Sequence, residues 1–207
     1  MKTCLTLLLA GVALCAREVG AQTPRADMLP LQHQVIGNQL PLNASPLLGI
    51  NVDQSFTYVG GQRFPLFGVA EAEQHLFVVA DSTKTVKRLY WVQIEGYLPD
   101  RPGSYDYSAD SAVTIQGLAF RANVNANANS GPVRPGSDRE WMLGLLSAHG
   151  YRMPRSSTRL RLTYLPDATR RREIMIVYLE PTAALGRGRD VSATLLSRAS
   201  GQMHLIK

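Results

Sequence analysis

Residues 85–98, "TVKRLYWVQIEGYL", form the longest strand-like run in the chain, and the fold class turns on how they are read. β-branched and aromatic residues fill the run, and Pro99, Pro102 and Gly103 stop it. Side chains alternate between the two faces of a strand. One face then carries Val86, Arg88, Tyr90, Val92 and Ile94, and reads as a core face. The other carries Lys87, Leu89, Trp91, Gln93, Glu95 and Tyr97. That second face sets an indole, an amide, a carboxylate and a phenol along one line. An aromatic platform with a few polar groups is how small-molecule sites are commonly lined.

Downstream, "TRLRLTYL" (158–165) and "EIMIVYLE" (173–180) read as two strands joined by "PDATRRR" (166–172). In the first, Leu160, Leu162 and Tyr164 face one way while Arg159, Arg161 and Thr163 face the other. The second is apolar on both faces, as expected of a central strand. Upstream, "QHLFVVAD" (74–81) is a short apolar strand, and residues 56–64 read as a hairpin turning at Gly60-Gly61. Residues 112–121 read as a strand, or as a short helix broken at Gly117. Residues 122–136, rich in Asn, Ala, Gly and Pro, have nothing to bury and read as a flexible surface loop.

The clearest local signal is Ser137-Asp138-Arg139-Glu140, a capping box that starts a helix over 138–149 with Trp141, Leu145 and Ala148 on its apolar stripe. Asp190 caps a last helix that ends at Gly201. Strands in meander order, interrupted by one helix and closed by another, predict an α+β domain over 51–207. Its expected form is an antiparallel sheet with both helices packed mainly on one face. Residues 22–50, with four prolines and no period, predict an extended N-terminal arm.

The first 21 residues read as a signal peptide. Lys2 precedes an apolar stretch from Leu5 to Ala16, too short to span a bilayer, and Val19-Gly20-Ala21 offers a cleavage site. Cleavage after Ala16 and a lipid anchor on Cys15 are the alternatives, the latter disfavoured by Leu14. Both cysteines, Cys4 and Cys15, fall in the segment that would be removed. The expected product is periplasmic or secreted, free of disulfides and thiolates, and without a transmembrane segment.

The chain carries a formal charge of +6, and residues 151–207 hold 11 Lys and Arg against 4 Asp and Glu. Arg170, Arg171 and Arg172 at the hairpin tip, with Arg152, Arg155, Arg187 and Arg189, are candidates for binding an anionic surface or an acidic partner. No nucleic-acid motif accompanies the charge. The four histidines, His33, His75, His149 and His204, show no metal-ligand spacing. No nucleophile elbow or dinucleotide loop occurs, and no cofactor is expected.

The functional expectation is an exported, non-catalytic binding or interaction module. It would hold a small amphipathic ligand, or dock a protein partner, on Trp91, Gln93, Glu95 and Tyr97, with Arg159 and Arg161 contributing from a neighbouring strand. Two alternatives stand beside it: a hydrolase-like enzyme using Glu95 as acid or base, and an anionic-surface binder using the arginines of 152–172.

Overall fold

The computed structural model describes residues 28–126, 128, 131–186 and 190–207. The expected signal peptide, residues 1–21, lies outside them, as do Arg187 and Arg189. Among the described residues, seven strands, a helix, two strands, a second α-helix and a last strand follow one another, giving the α+β class and antiparallel sheet read from the sequence. The strands are β1 (Gln39–Ala44), β2 (Leu47–Val52), β3 (Thr57–Leu66), β4 (Ala70–Ala80), β5 (Val86–Tyr97), β6 (Ser111–Ile115), β7 (Leu118–Asn125), β8 (Ser157–Tyr164), β9 (Arg172–Pro181) and β10 (Met203–Ile206). The helices are α1 (Asp138–Ala148) and α2 (Val191–Gly201).

Seven strands make one antiparallel sheet in the order β3-β4-β5-β9-β8-β7-β6. It consists of two meanders, β3 to β5 and β6 to β9, joined by the ladder between β5 and β9. β9 lies at the centre, which explains why both its faces are apolar. β1, β2 and β10 form a separate three-stranded sheet.

Both faces of the large sheet are covered, and here the arrangement differs from the single-faced packing expected of the helices. Tyr90, Val92, Ile176, Tyr178, Leu160 and Leu162 point to one side, where they meet the small sheet and Leu195 and Ala199 of α2. Leu76, Val78, Leu89, Trp91 and Val177 point to the other, where Met142 and Leu146 of α1 cover them. The physical reason is that β5 and β9 are apolar on both faces, so each face needs its own cover.

Several local readings change in the same way. From Gln39 onward, the stretch expected to be an extended arm forms the β1–β2 hairpin, because Leu40, Leu42, Leu47 and Ile50 alternate inward. Gly60-Gly61 does not turn the chain. It sits in a bulge inside β3, where a Cβ on Gly61 would lie 2.7 Å from His75 Nδ1. Residues 111–125 are a hairpin with positive φ at Gln116 and Gly117, and β7 takes in the start of the expected loop. The helix cap stands as read, with Ser137 Oγ accepting from the Glu140 amide at 3.2 Å; only the return bond differs, the Glu140 carboxylate accepting from Gly136 N at 2.8 Å.

Candidate functional site

The expected ligand wall is buried rather than open. Trp91 is 3% exposed, Gln93 0% and Glu95 9%. α1 and the segment 98–110 lie over this face, and its polar groups are wired together. Gln62 Nε2 donates to Gln74 Oε1 at 3.1 Å and to the Trp141 carbonyl at 2.7 Å. Gln74 Nε2 donates to Gln93 Oε1 and to the Asp138 carbonyl, each at 2.8 Å. Trp91 Nε1 donates to Gln93 Oε1 at 3.2 Å, and Gln93 Nε2 donates to Glu95 Oε2 at 2.6 Å. A row of amides thus runs beneath α1 and ends on a carboxyl group.

At that end two glutamates meet. Glu95 on β5 pairs directly with Glu173 on β9, and both are buried. The Tyr105 hydroxyl donates to Glu95 Oε1 at 2.8 Å, and the Tyr107 hydroxyl donates to Glu173 Oε2. Burial pushes the Glu95 carboxyl above its ordinary value, against the hydrogen bonds from Tyr105 and Gln93. Burial and then the charge of Glu95 push Glu173 up to about 8, against Tyr107 and Arg161. Two like charges in one low-dielectric site resist joint ionisation, so the pair keeps a proton near neutrality. Asp138, at the start of α1, is also raised by burial.

β8 brings the arginines to the same side. Arg161 Nη2 donates to Asp110 Oδ2 at 2.8 Å, and its guanidinium lies 4.9 Å over the Tyr107 ring. Burial and the neighbouring charge of Arg161 lower the Arg159 pKa. Ser157 Oγ, Arg159 Nε, Arg161 Nε and Thr163 Oγ1 are all buried without a hydrogen-bond partner among the described residues. These are the alternate residues of one strand, so all four belong to one face. Four unpartnered polar atoms along one strand face are unusual, because each costs about 1–3 kcal/mol when left desolvated and unpaired.

Sequence reasoning placed Glu95 and the arginines on facing surfaces, and the structure puts them in one seam. It does not pair them directly, because β9 lies between β5 and β8. Arg161 takes Asp110, and Glu95 takes Tyr105 and Gln93. Tyr97 sits at the rim, tilted against Tyr105 with ring centroids 4.8 Å apart. The residues missed were Glu173, Asp110 and Asp138. Glu173 opens an apolar run and looked like a strand start; only the β5–β9 register reveals its partner.

The arginine triplet does not act as one patch. Arg170 pairs with Asp106 at 2.9 Å. Arg171 donates to the carbonyls of Leu98, Arg101 and Gly103 and lies over Tyr97, so it fastens the 98–103 loop. Arg172 makes no close ion pair among the described residues, and its charge acts on Asp167 in the same loop.

A second polar centre lies on the opposite face of β4. Glu73 Oε1 accepts from the His33 amide at 2.9 Å and contacts His33 Nδ1 at 3.0 Å and His75 Nε2 at 2.9 Å. Its Oε2 accepts from the Gln32 amide at 2.7 Å. His75 Nδ1 in turn shares a hydrogen bond with the Tyr58 hydroxyl at 3.0 Å. Burial would raise the Glu73 pKa, but these hydrogen bonds hold it well below the usual carboxylate range. The centre clamps the N-terminal segment to the sheet edge, where Leu29 also bridges to Arg63. No group of three or more His, Cys, Asp or Glu suited to a metal ion occurs among the described residues, and none of their helices is long and apolar enough to cross a membrane.

No protein-family model, no curated protein and no solved structure matches this chain.

Proposed function

We propose that the protein is an exported binding module that encloses a small amphipathic ligand in the seam formed by β5, β9, β8 and residues 98–110. The observation that carries this reading is the row of unpartnered polar atoms on β8, facing the same side as the Glu95–Glu173 pair. Arginine donors at one side suit an acceptor-rich group such as a carboxylate, while Tyr105 and Tyr107 offer aromatic surface. Docking of a protein partner on this face is disfavoured by the burial of Trp91 and Gln93. Export rests on the sequence of residues 1–21 alone.

Native mass spectrometry of residues 22–207, purified gently from the exporting cell, tests the proposal. The expected result is a mass excess that disappears on denaturation and is lost from Arg161→Gln. A bare-chain mass in both proteins would count against it. A second reading, acid–base hydrolysis, is favoured by the proton kept on the glutamate pair near neutral pH. Under that reading Glu95→Gln removes turnover and leaves ligand uptake, whereas under the binding reading uptake itself weakens.

A further inference from the structure

A cleft of about 270 Å³ opens on the face of the sheet opposite Gln74 and Gln93, bordering the seam at Glu95, Tyr97, Leu98 and Pro99. Gly96 lies in its floor. The register across the sheet runs Glu71 on β4, Gly96 on β5 and Arg172 on β9. Adjacent strands are roughly 4.8 Å apart, so Glu71 and Arg172 flank the glycine at a Cα separation of about 10 Å. Gly96 is the next-to-last residue of β5, and a glycine in a strand often marks a place where a ligand or another backbone comes close. Neither a turn nor a crowding neighbour requires it: its φ lies outside the left-handed region, and a Cβ would meet only Arg172 Cγ at 3.5 Å and the Arg171 carbonyl at 3.7 Å, both ordinary contacts.

Charges of both signs surround this floor. Arg63 and Glu71 are paired with each other, leaving Glu71 half exposed toward the cleft. Glu73 stays ionised behind them, with both oxygens already occupied. Arg172 is exposed, and the one charge interaction it shows among the described residues is with Asp167, which leaves its hydrogen-bond donors open to the cleft. Two guanidinium groups, Arg63 and Arg172, face the carboxyl groups of Glu71 and Glu73, with the buried Glu95 at the border. They place negative charge on one side of the glycine and an open bidentate donor on the other.

We propose that this cleft binds a zwitterion of free amino-acid type, with its carboxylate on Arg172, its ammonium on Glu71 and its α-carbon over Gly96. The volume falls just below the usual range for drug-sized ligands, which suits a molecule this small. The site rests on geometry separate from that of the unpartnered β8 atoms, so it stands or falls independently of the seam.

The test is an amide-shift titration of the isotope-labelled mature protein with each protein amino acid. It is followed by the N-acetyl and the carboxamide derivatives of whichever one binds. The expected result is saturable movement of the Gly96 and Arg172 amides, with a dissociation constant on the order of 1 mM. Each derivative, lacking one of the two charges, should bind at least about tenfold more weakly, roughly the loss of 1.4 kcal/mol. Gly96→Val, which fills the floor, should abolish the shifts while the rest of the spectrum is retained. Should that variant misfold, Arg172→Gln on the exposed rim supplies the same readout. Absence of localised shifts with every amino acid would overturn the proposal. So would derivatives that bind as well as the parent, or an Arg172→Gln protein that binds as the wild type does.

Discussion

Glu73 and Glu173 lie on the same sheet, and each is 3% exposed, yet the structure pushes their carboxyl groups in opposite directions. Glu73 is surrounded by donors: two backbone amides and two imidazoles. Glu173 faces another glutamate across the strand pair and has one tyrosine hydroxyl. Burial acts on both and favours the neutral form in each. Glu173 lies deeper in the fold, and the partners differ too: they overcome burial at Glu73, whereas the charge of Glu95 adds to it at Glu173. Equal exposure therefore says nothing about charge until depth and neighbours are counted. One glutamate is a structural anion; the other is a proton store.

The most severe way to break the comparison is to remove the anion. Glu73→Ala leaves two amides and two imidazoles without their acceptor and releases the N-terminal segment. Urea unfolding should show a loss of about 3–5 kcal/mol, the range for breaking a buried charged pair. The contribution of Glu73 should be complete above the ordinary carboxyl pKa of 4.5 and fade as pH falls below it, since a depressed carboxyl loses stability on protonation.

Glu173 should respond on the other side. A raised carboxyl holds its proton in the folded chain at pH values where the unfolded chain has released it. Its contribution is full below 4.5 and falls as pH rises toward about 8. Chemical unfolding across that interval should show stability declining by up to about 1.4 kcal/mol per pH unit. Glu173→Gln should flatten the decline, and an unchanged slope in the variant would show that the pair is not its source.

Smaller effects sharpen the contrast. Gly61→Ala pushes a methyl group against His75 and disturbs the acceptor cluster of Glu73, costing about 1–3 kcal/mol in the same unfolding assay. Tyr107→Phe takes from Glu173 its one side-chain hydrogen-bond donor among the described residues. It should cost about 1 kcal/mol. Direct titration by NMR should also find the Glu173 carboxyl pKa higher in that variant.

Much of this architecture was legible from local pattern. Period-2 alternation located β4, β5, β8 and β9, and the Ser137 and Asp190 caps located both helices, because each signal is written within a few residues. What was hidden depends on pairing across the chain. Gly60-Gly61 carries the chemistry of a turn, and only the contact with His75 explains a bulge. Arg159 and Arg161 were assigned to the correct face of their strand, but the interposed β9 could not be read from spacing. Nor could Glu173 be recognised as the partner of Glu95. The Arg170–Arg172 run looked like one patch because sequence does not show that Arg171 would be drawn to the loop carbonyls.

The order of strands has a kinetic consequence. The β3–β5 meander and the β6–β7 and β8–β9 ladders close short loops and form cheaply, whereas β7 and β8 pair across residues 126–156, which include α1. Within the large sheet the two halves meet only along β5 and β9. Glu95 and Glu173 sit opposite each other on that ladder. The two carboxyl groups therefore come together when the halves dock, and a doubly ionised pair opposes the docking. Stopped-flow refolding of the wild type should be faster at pH 5 than at pH 8, and Glu173→Gln should remove most of that difference. If so, the chain carries in a single cross-strand pair an electrostatic gate on its own assembly.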